Sequence, residues 1–152
     1  MLHIIGFGND LHGDDGFAAM VCLRLNALPL AANVRVFDAG TRGLDALALL
    51  KDCDEAILLD AHQPRWPRPS PGRVAELPLT SVALPQDPSG HAGGVAWVLE
   101  ALRHIEPNPP KIRLITAEVG VLRAFTPGLS TPMEHAVEQV VAMLSREVLH
   151  HA

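Results

Sequence analysis

The chain has 152 residues, enough for one domain with a buried core. Hydrophobic residues make up 48%, charged residues 19%, and the formal net charge is −5 at pH 7. This charge disfavours nucleic acid and anionic membranes as partners, and no apolar run is long enough to span a bilayer. The two cysteines, Cys22 and Cys53, have no metal-binding spacing and fit a reducing compartment. We therefore expect a cytoplasmic protein with a single domain over residues 1–152.

Alternating strands and helices are predicted along the whole chain. Runs rich in Ile, Leu or Val predict four strands and a weaker edge strand, namely Leu2–Phe7, Val34–Phe37, Glu55–Asp60, Lys111–Ala117 and, at the edge, Gly72–Pro78. Helical spacing of apolar residues predicts helices over 17–28, 44–50, 95–105 and 131–148, the last beginning with a capping box at 131–134. The near-continuous apolar strands are typical of a sheet covered on both faces. The predicted fold is therefore α/β, a three-layer sandwich with a twisted, mostly parallel sheet of about five strands flanked by helices.

The most informative segment follows the first predicted strand, at residues 6–16 (GFGNDLHGDDG). Its first two glycines allow a tight turn and close backbone approaches. The turn brings two adjacent carboxylates, Asp14 and Asp15, to the start of a helix. Acidic residues at this place favour a cation or acid–base chemistry, and the glycine spacing does not match the dinucleotide-binding fingerprint.

Two further residues are expected near this turn. Asp60 ends the third predicted strand, and His91 opens a predicted helix after a Ser-Gly pair. Because the carboxyl ends of parallel strands meet at one edge of a sheet, Asp60 and the Asp14–Asp15 pair can converge. Taken singly, an aspartate here is more often a helix cap or turn former, and a lone histidine is more often a capping or surface residue. Together they predict an open site for a divalent metal such as zinc or nickel.

Other polar residues have weaker claims. Arg42 lies in a glycine-flanked turn after the second strand. Arg65, Arg68 and Arg73, interleaved with Trp66 and prolines in and next to the proline-rich segment 62–72, could form a docking patch, but a solvated loop is the simpler interpretation. Among the other histidines, His12 and His62 have weaker claims than His91, and the terminal pair His150 and His151 is expected at a frayed helix end.

The ordered motifs resemble those of the hydrogenase maturation endopeptidases of the nickel–iron hydrogenase system. The matching segments are residues 6–16, residues 38–44 (DAGTRGL), the strand end at 60–61, residues 89–91 (SGH) and residues 128–132 (GLSTP). They span nearly the whole chain in the family's order. The resemblance implies a twisted sheet between helices and an aspartyl-type peptidase, which trims a C-terminal extension from the precursor of the hydrogenase large subunit after nickel insertion.

The resemblance also implies which residues carry the activity. By position, the metal-contacting and catalytic residues are Asp15, Asp60 and His91, although some relatives carry Glu in place of Asp15. The nickel is supplied by the substrate, and other divalent ions are expected to substitute in vitro. Either metal polarisation of a carbonyl or a carboxylate acting as general base on water could drive hydrolysis.

Two alternatives remain open from the sequence. A peptidyl-tRNA hydrolase-like enzyme has a comparable sheet and a similar glycine-rich opening, but it would need a basic surface for tRNA. A non-catalytic, nickel-dependent chaperone of the same precursor could use the same three residues. A shortened precursor would indicate a peptidase, and an intact precursor in a stable complex would indicate a chaperone.

Overall fold

The structure, a computed structural model, describes residues 1–63, 69–77, 79, 94–120 and 122–152. Within these ranges the chain forms five strands, four α-helices and one short 3₁₀ turn over Gly13–Gly16. The elements in chain order are β1 (Leu2–Phe7), α1 (Phe17–Asn26), β2 (Val34–Gly40), α2 (Gly43–Lys51), β3 (Glu55–His62), β4 (Val74–Leu77), α3 (Val95–Ile105), β5 (Lys111–Glu118) and α4 (Thr131–His150).

The five strands form one mixed sheet in the order β2-β1-β3-β5-β4. The strands β2, β1, β3 and β5 are parallel, and β4 pairs antiparallel with β5 at the edge. Helix α1 packs beside α4 and helix α2 beside α3, on opposite faces of the sheet. The predicted three-layer α/β fold with a mostly parallel sheet is therefore confirmed.

Strand β1 lies at the centre of this arrangement, and all six of its residues are buried. Side chains alternate between the two faces of a strand. Accordingly Leu2 and Ile4 join the core beneath α1 and α4, whereas Ile5 and Phe7 join the core beneath α2 and α3. Burial on both faces explains why the strand reads as a continuous apolar run.

Several predicted boundaries change in the structure. Strands β2 and β3 continue further than predicted, to Gly40 and His62. The predicted capping box is wrong, because the N-cap of α4 is Ser130 and no side chain caps the helix. The Ser130 hydroxyl instead donates to the carboxylate of Asp14 at 2.8 Å. No helix in the described part of the chain is long and apolar enough to cross a membrane.

Gly6 lets helix α1 approach the central strand closely. A Cβ at Gly6 would lie 2.8 Å from the Cys22 sulfur and 3.2 Å from the Ala18 carbonyl oxygen. Cys22 is consequently 1% exposed, and burial together with the charge of Asp38 raises the pKa of its thiol to about 12. Cys22 therefore behaves as a small apolar group in the core.

The carboxylate of Asp14 joins the first turn to two distant segments. One of its oxygens accepts a hydrogen bond from the Ser130 amide at 2.7 Å, and the other accepts from the Gly120 amide at 2.9 Å and from the Ser130 hydroxyl. Asp14 is fully buried. A buried carboxylate requires such donors because it has lost its hydration. Asp14 is thus a structural residue that fixes the loop between β5 and α4 against the end of β1.

We expect Asp14→Ala to destabilise the fold by about 3 kcal/mol, because it leaves buried amide and hydroxyl donors without their acceptor. The measurement is the free energy of unfolding from urea denaturation monitored by circular dichroism. Ser130→Ala, which removes only one donor, is the matched control and should cost about 1 kcal/mol. Equal stability of Asp14→Ala and wild type would contradict this role.

Candidate active site

A cleft of about 430 Å³ opens at the carboxyl ends of β1, β2 and β3. Strand β1 lies between the other two, and the chain passes from β1 to β2 on one side before crossing to β3 on the other. Such a reversal of strand order leaves a crevice where ligands of open α/β sheets bind. The lining residues are Phe7, Gly8, Asn9, His12, Asp15, Gly40, Thr41, Asp60, Ala61 and Gly94.

The turn after β1 holds Asp15 at the wall of this cleft. The Asn9 amide donates a hydrogen bond to one Asp15 carboxylate oxygen at 2.8 Å. Gly8 has φ +128°, and a Cβ there would lie 2.3 Å from the Asp15 carbonyl oxygen. The Gly8 amide in turn donates to the Gly40 carbonyl at the end of β2. Glycine is therefore required at position 8, where the chain folds back on Asp15.

Asp60 reaches the same cleft from strand β3. Its neighbours Leu59 and Ala61 pack against the core beneath α1 and α4, so alternation places Asp60 on the opposite face. Burial and the negative charge of Asp15 raise the pKa of the Asp60 carboxyl from near 4 to about 8, and a hydrogen bond from the Ala61 backbone opposes this shift. The two carboxylates are therefore close enough to interact electrostatically.

The predicted site residues have different outcomes. Asp15 and Asp60 line one cleft, as the sequence led us to expect. The Asp14 side chain is buried in the fold, where it accepts a hydrogen bond from the Ser130 amide, and it does not line the cleft. His91 lies outside the described residues, although Gly94, three positions later at the start of α3, lines the cleft. Within the described ranges no group of three or more His, Cys, Asp or Glu side chains is arranged to hold a metal ion.

His12 is a site residue that the sequence reasoning undervalued. It lines the cleft with Asp15 and Asp60 and immediately precedes the 3₁₀ turn. His12 lies before the helical residues, but the Asp15 amide donates a hydrogen bond to the His12 carbonyl at 3.2 Å, which keeps the two residues together. Their separation of three positions next to a predicted helix start is the one signal that the sequence offered. Asn9 and Thr41, which also line it, carried no comparable signal.

The arginines considered at the sequence level lie elsewhere. Arg42 is exposed and contacts Asp45 at 3.3 Å, outside the cleft lining. Arg73 forms an ion pair with the buried carboxylate of Glu118 at 2.8 Å, and that carboxylate also accepts from the Ser70 amide. This pairing is structural, because it fastens the segment before β4 to the end of β5. The remaining arginines and the tryptophan of the proline-rich segment lie outside the described residues.

The described geometry supports two kinds of chemistry. A pair of carboxylates in a half-buried cleft can bind a divalent cation together with an imidazole or with ligands of a substrate. A carboxyl group whose pKa lies near neutrality can also accept or donate a proton during hydrolysis. Both require the pair to stay in fixed positions, which the turn at 8–9 and strand β3 provide.

Comparison with known proteins identifies the family. The model of the hydrogenase maturation protease family, HycI, matches residues 21–147. The hydrogenase 2 maturation protease of Escherichia coli (strain K12) is 27% identical over 145 residues, which cover 93% of this chain and 88% of that protein. The solved structure of the hydrogenase maturating endopeptidase HybD from E. coli superimposes with a TM-score of 0.76 at 28% identity, covering 96% of this chain and 93% of that one.

A second solved structure gives the same result. The hydrogenase 2 maturation peptidase from a Thaumarchaeota archaeon has a TM-score of 0.66 and 27% identity, covering 98% of this chain and 99% of that one. With the family model matching most of the sequence, the chain belongs to the hydrogenase maturation protease family, and it is a hydrolase that acts as a processing endopeptidase.

Proposed function

We propose that this endopeptidase removes the C-terminal extension of the nickel–iron hydrogenase large-subunit precursor and recognises the nickel that the precursor already carries. The supporting observation is that Asp15 and Asp60 line a single cleft at the carboxyl ends of parallel strands. Family membership supplies the reaction class, a processing endopeptidase. The proposal includes a cytoplasmic location, where the thiols of Cys22 and Cys53 stay reduced.

In this proposal three side chains contact the substrate's metal centre. Asp15 presents a carboxylate whose position is fixed by the Asn9 amide, and Asp60 presents the second from the tip of β3. His91 is proposed as the third, supported by its place three residues before the cleft-lining Gly94. Carboxylate oxygens and imidazole nitrogen suit nickel, and zinc or another divalent ion with similar preferences is expected to substitute in vitro.

The same carboxylates are positioned for the hydrolytic step. One of them accepts a proton from the attacking water as the hydroxide bonds to the scissile carbonyl carbon. That proton then passes to the amine that leaves when the carbon–nitrogen bond breaks. Asp60 suits this exchange because it lines the cleft beside Asp15, and in the metal-free protein burial and Asp15 raise its pKa to about 8.

We expect Asp15→Asn and Asp60→Asn each to lower kcat/KM for a nickel-loaded precursor by at least about 100-fold, because each removes a metal-contacting or proton-accepting oxygen. His91→Gln should have a similar effect. The measurement is the mass of the precursor over time, with nickel-free precursor assayed beside it. Wild type should shorten only the nickel-loaded form.

Asp10→Asn is the matched control. Asp10 lies on the same turn and is exposed, but it lines a neighbouring depression instead of this cleft. It should retain activity within about twofold, which separates loss of a site carboxylate from loss of surface charge. Full activity in all three site variants would refute the proposal. An unchanged precursor mass with a stable complex would show a chaperone.

Asp60→Asn should also stabilise the fold at alkaline pH. A carboxyl group whose pKa is higher in the folded than in the unfolded state makes the fold less stable as pH rises between those two pKa values. For Asp60 this range runs from about 4 to about 8. The amide carries no charge and avoids this loss, so its Tm at pH 8 should exceed that of wild type by about 2 °C or more. Differential scanning calorimetry at pH 5 and pH 8 checks this, and a lower Tm for the variant at both values would contradict it.

A further inference from the structure

Phe125 is an unusual residue in the loop between β5 and α4. Its side chain is 83% exposed, more than any other large hydrophobic residue in the described part of the chain. Within the same ranges it is also the one non-glycine residue with a positive φ, at 55°. The left-handed conformation is unfavourable for a bulky side chain, and exposure gives no compensating burial. The stability of the isolated fold therefore does not explain a phenylalanine at this position.

The loop nevertheless holds Phe125 in a defined place. The Thr126 carbonyl accepts a hydrogen bond from the Gly13 amide at 2.9 Å, and residues 12 and 126 form a parallel bridge. The Phe125 ring stands edge-on against the His12 ring, with centroids 5.5 Å apart and an angle of 74°. This arrangement is a favourable aromatic contact. Phe125 is thus attached to the same turn that carries Asp15.

The contact with His12 places Phe125 at the rim of the candidate active site. His12 lines the cleft with Asp15 and Asp60, and the Phe125 ring contacts the His12 ring without being among the lining residues. A cleft of about 430 Å³ accommodates only part of a polypeptide. A protein substrate bound there must continue past the rim, where an apolar ring is available to contact it.

We propose that Phe125 is a specificity-determining residue that binds an apolar side chain of the precursor, in the segment that carries the scissile bond. The inference rests on the proposed function, because it takes the cleft to be the place of cleavage. Aromatic residues, phenylalanine included, are enriched in protein–protein interfaces relative to the rest of the surface. Its cost to the free enzyme is offset when the ring is covered by substrate.

The test is a comparison of steady-state cleavage by Phe125 variants. Phe125→Asn removes the apolar ring, yet asparagine tolerates a positive φ, so the fold should be retained or slightly stabilised. We expect KM to rise about tenfold in Phe125→Asn and about threefold in Phe125→Leu, with kcat within about twofold of wild type. A residue with a merely structural role would instead lower Tm and leave the Leu and Asn variants equivalent in KM.

Ile105→Asn is the matched control, because Ile105 is 51% exposed at the last residue of α3, at the end of that helix opposite to the cleft-lining Gly94. Its KM should equal that of wild type. Single apolar-to-serine replacements across the cleaved segment of the precursor then locate the partner side chain. One replacement should raise KM about tenfold with wild type but not with Phe125→Asn. Strictly additive effects at every position would overturn the inference.

Binding of uncleaved precursor separates the two proposals. If wild type binds the nickel-loaded precursor without shortening it, the proposed function fails. The dissociation constant of Phe125→Asn, measured by isothermal titration calorimetry, still decides the further inference. An affinity about tenfold weaker than that of wild type supports it, and an equal affinity overturns it.

Discussion

The buried carboxylate of Asp14 determines how the two adjacent acids at the first turn are used. Its hydrogen bonds to Gly120 and Ser130 connect residues 106 and 116 positions apart in sequence. Since these contacts hold Asp14 inside the fold, the next residue along the 3₁₀ turn, Asp15, reaches the cleft. Asp14 therefore stabilises the fold, and Asp15 lines the candidate site. The turn after β1 is fixed because Asp14 accepts hydrogen bonds from buried donors that would otherwise have no acceptor.

The parallel sheet supplies the second requirement, a place where separate strands converge. With β1 between β2 and β3, their carboxyl ends form one edge, and short backbone contacts such as that between Gly8 and Gly40 keep the ends together. The edge is only partly open to water, so the charge on Asp60 is poorly solvated and lies near that on Asp15. A site that holds like charges together destabilises the empty fold, and a bound cation or a proton relieves this repulsion. The stability of the empty fold and the proposed activity thus make opposite demands on Asp60.

Much of the fold could be predicted from sequence because the core strands are buried on both faces. A continuous apolar run gave β1 its observed bounds, helical spacing of apolar residues located α3, and alternation of strands with helices gave the layers. The longer ends of β2 and β3 were missed because the apolar runs stop at Asp38 and Asp60, whereas in the sheet β2 continues past a register shift to Gly40 and β3 keeps pairing with β5 to His62. The direction of β4 depends on how the chain returns along the edge of the sheet, which apolar spacing does not encode.

The candidate site was predictable only in part. Asp60 and the Asp14–Asp15 pair could be placed at one edge from the shared direction of parallel strands. The local sequence did not distinguish Asp14 from Asp15, a choice that only the family resemblance supplied, because either residue fits the start of a helix and the decisive donors lie more than 100 positions away in sequence. The capping box at 131–134 failed for the same reason, since the Ser130 hydroxyl bonds to Asp14 and not to its own helix. Where the local sequence allowed two structures, hydrogen-bond partners distant in sequence therefore determined which one formed.

The loop that carries Phe125 depends on the same long-range contacts. Before Phe125 the Gly120 amide is fixed to Asp14, and after it the Thr126 carbonyl is fixed to the Gly13 amide, so the strained residue lies between two attachments to the first turn. A strained backbone persists only where its surroundings over-determine it, and these attachments meet that condition. Asp14, Asp15 and His12 belong to one short stretch of chain, which links the core, the cleft and the aromatic rim. A substrate residue that covers Phe125 is therefore positioned relative to the site carboxylates through rigid backbone contacts, without any additional element of the fold.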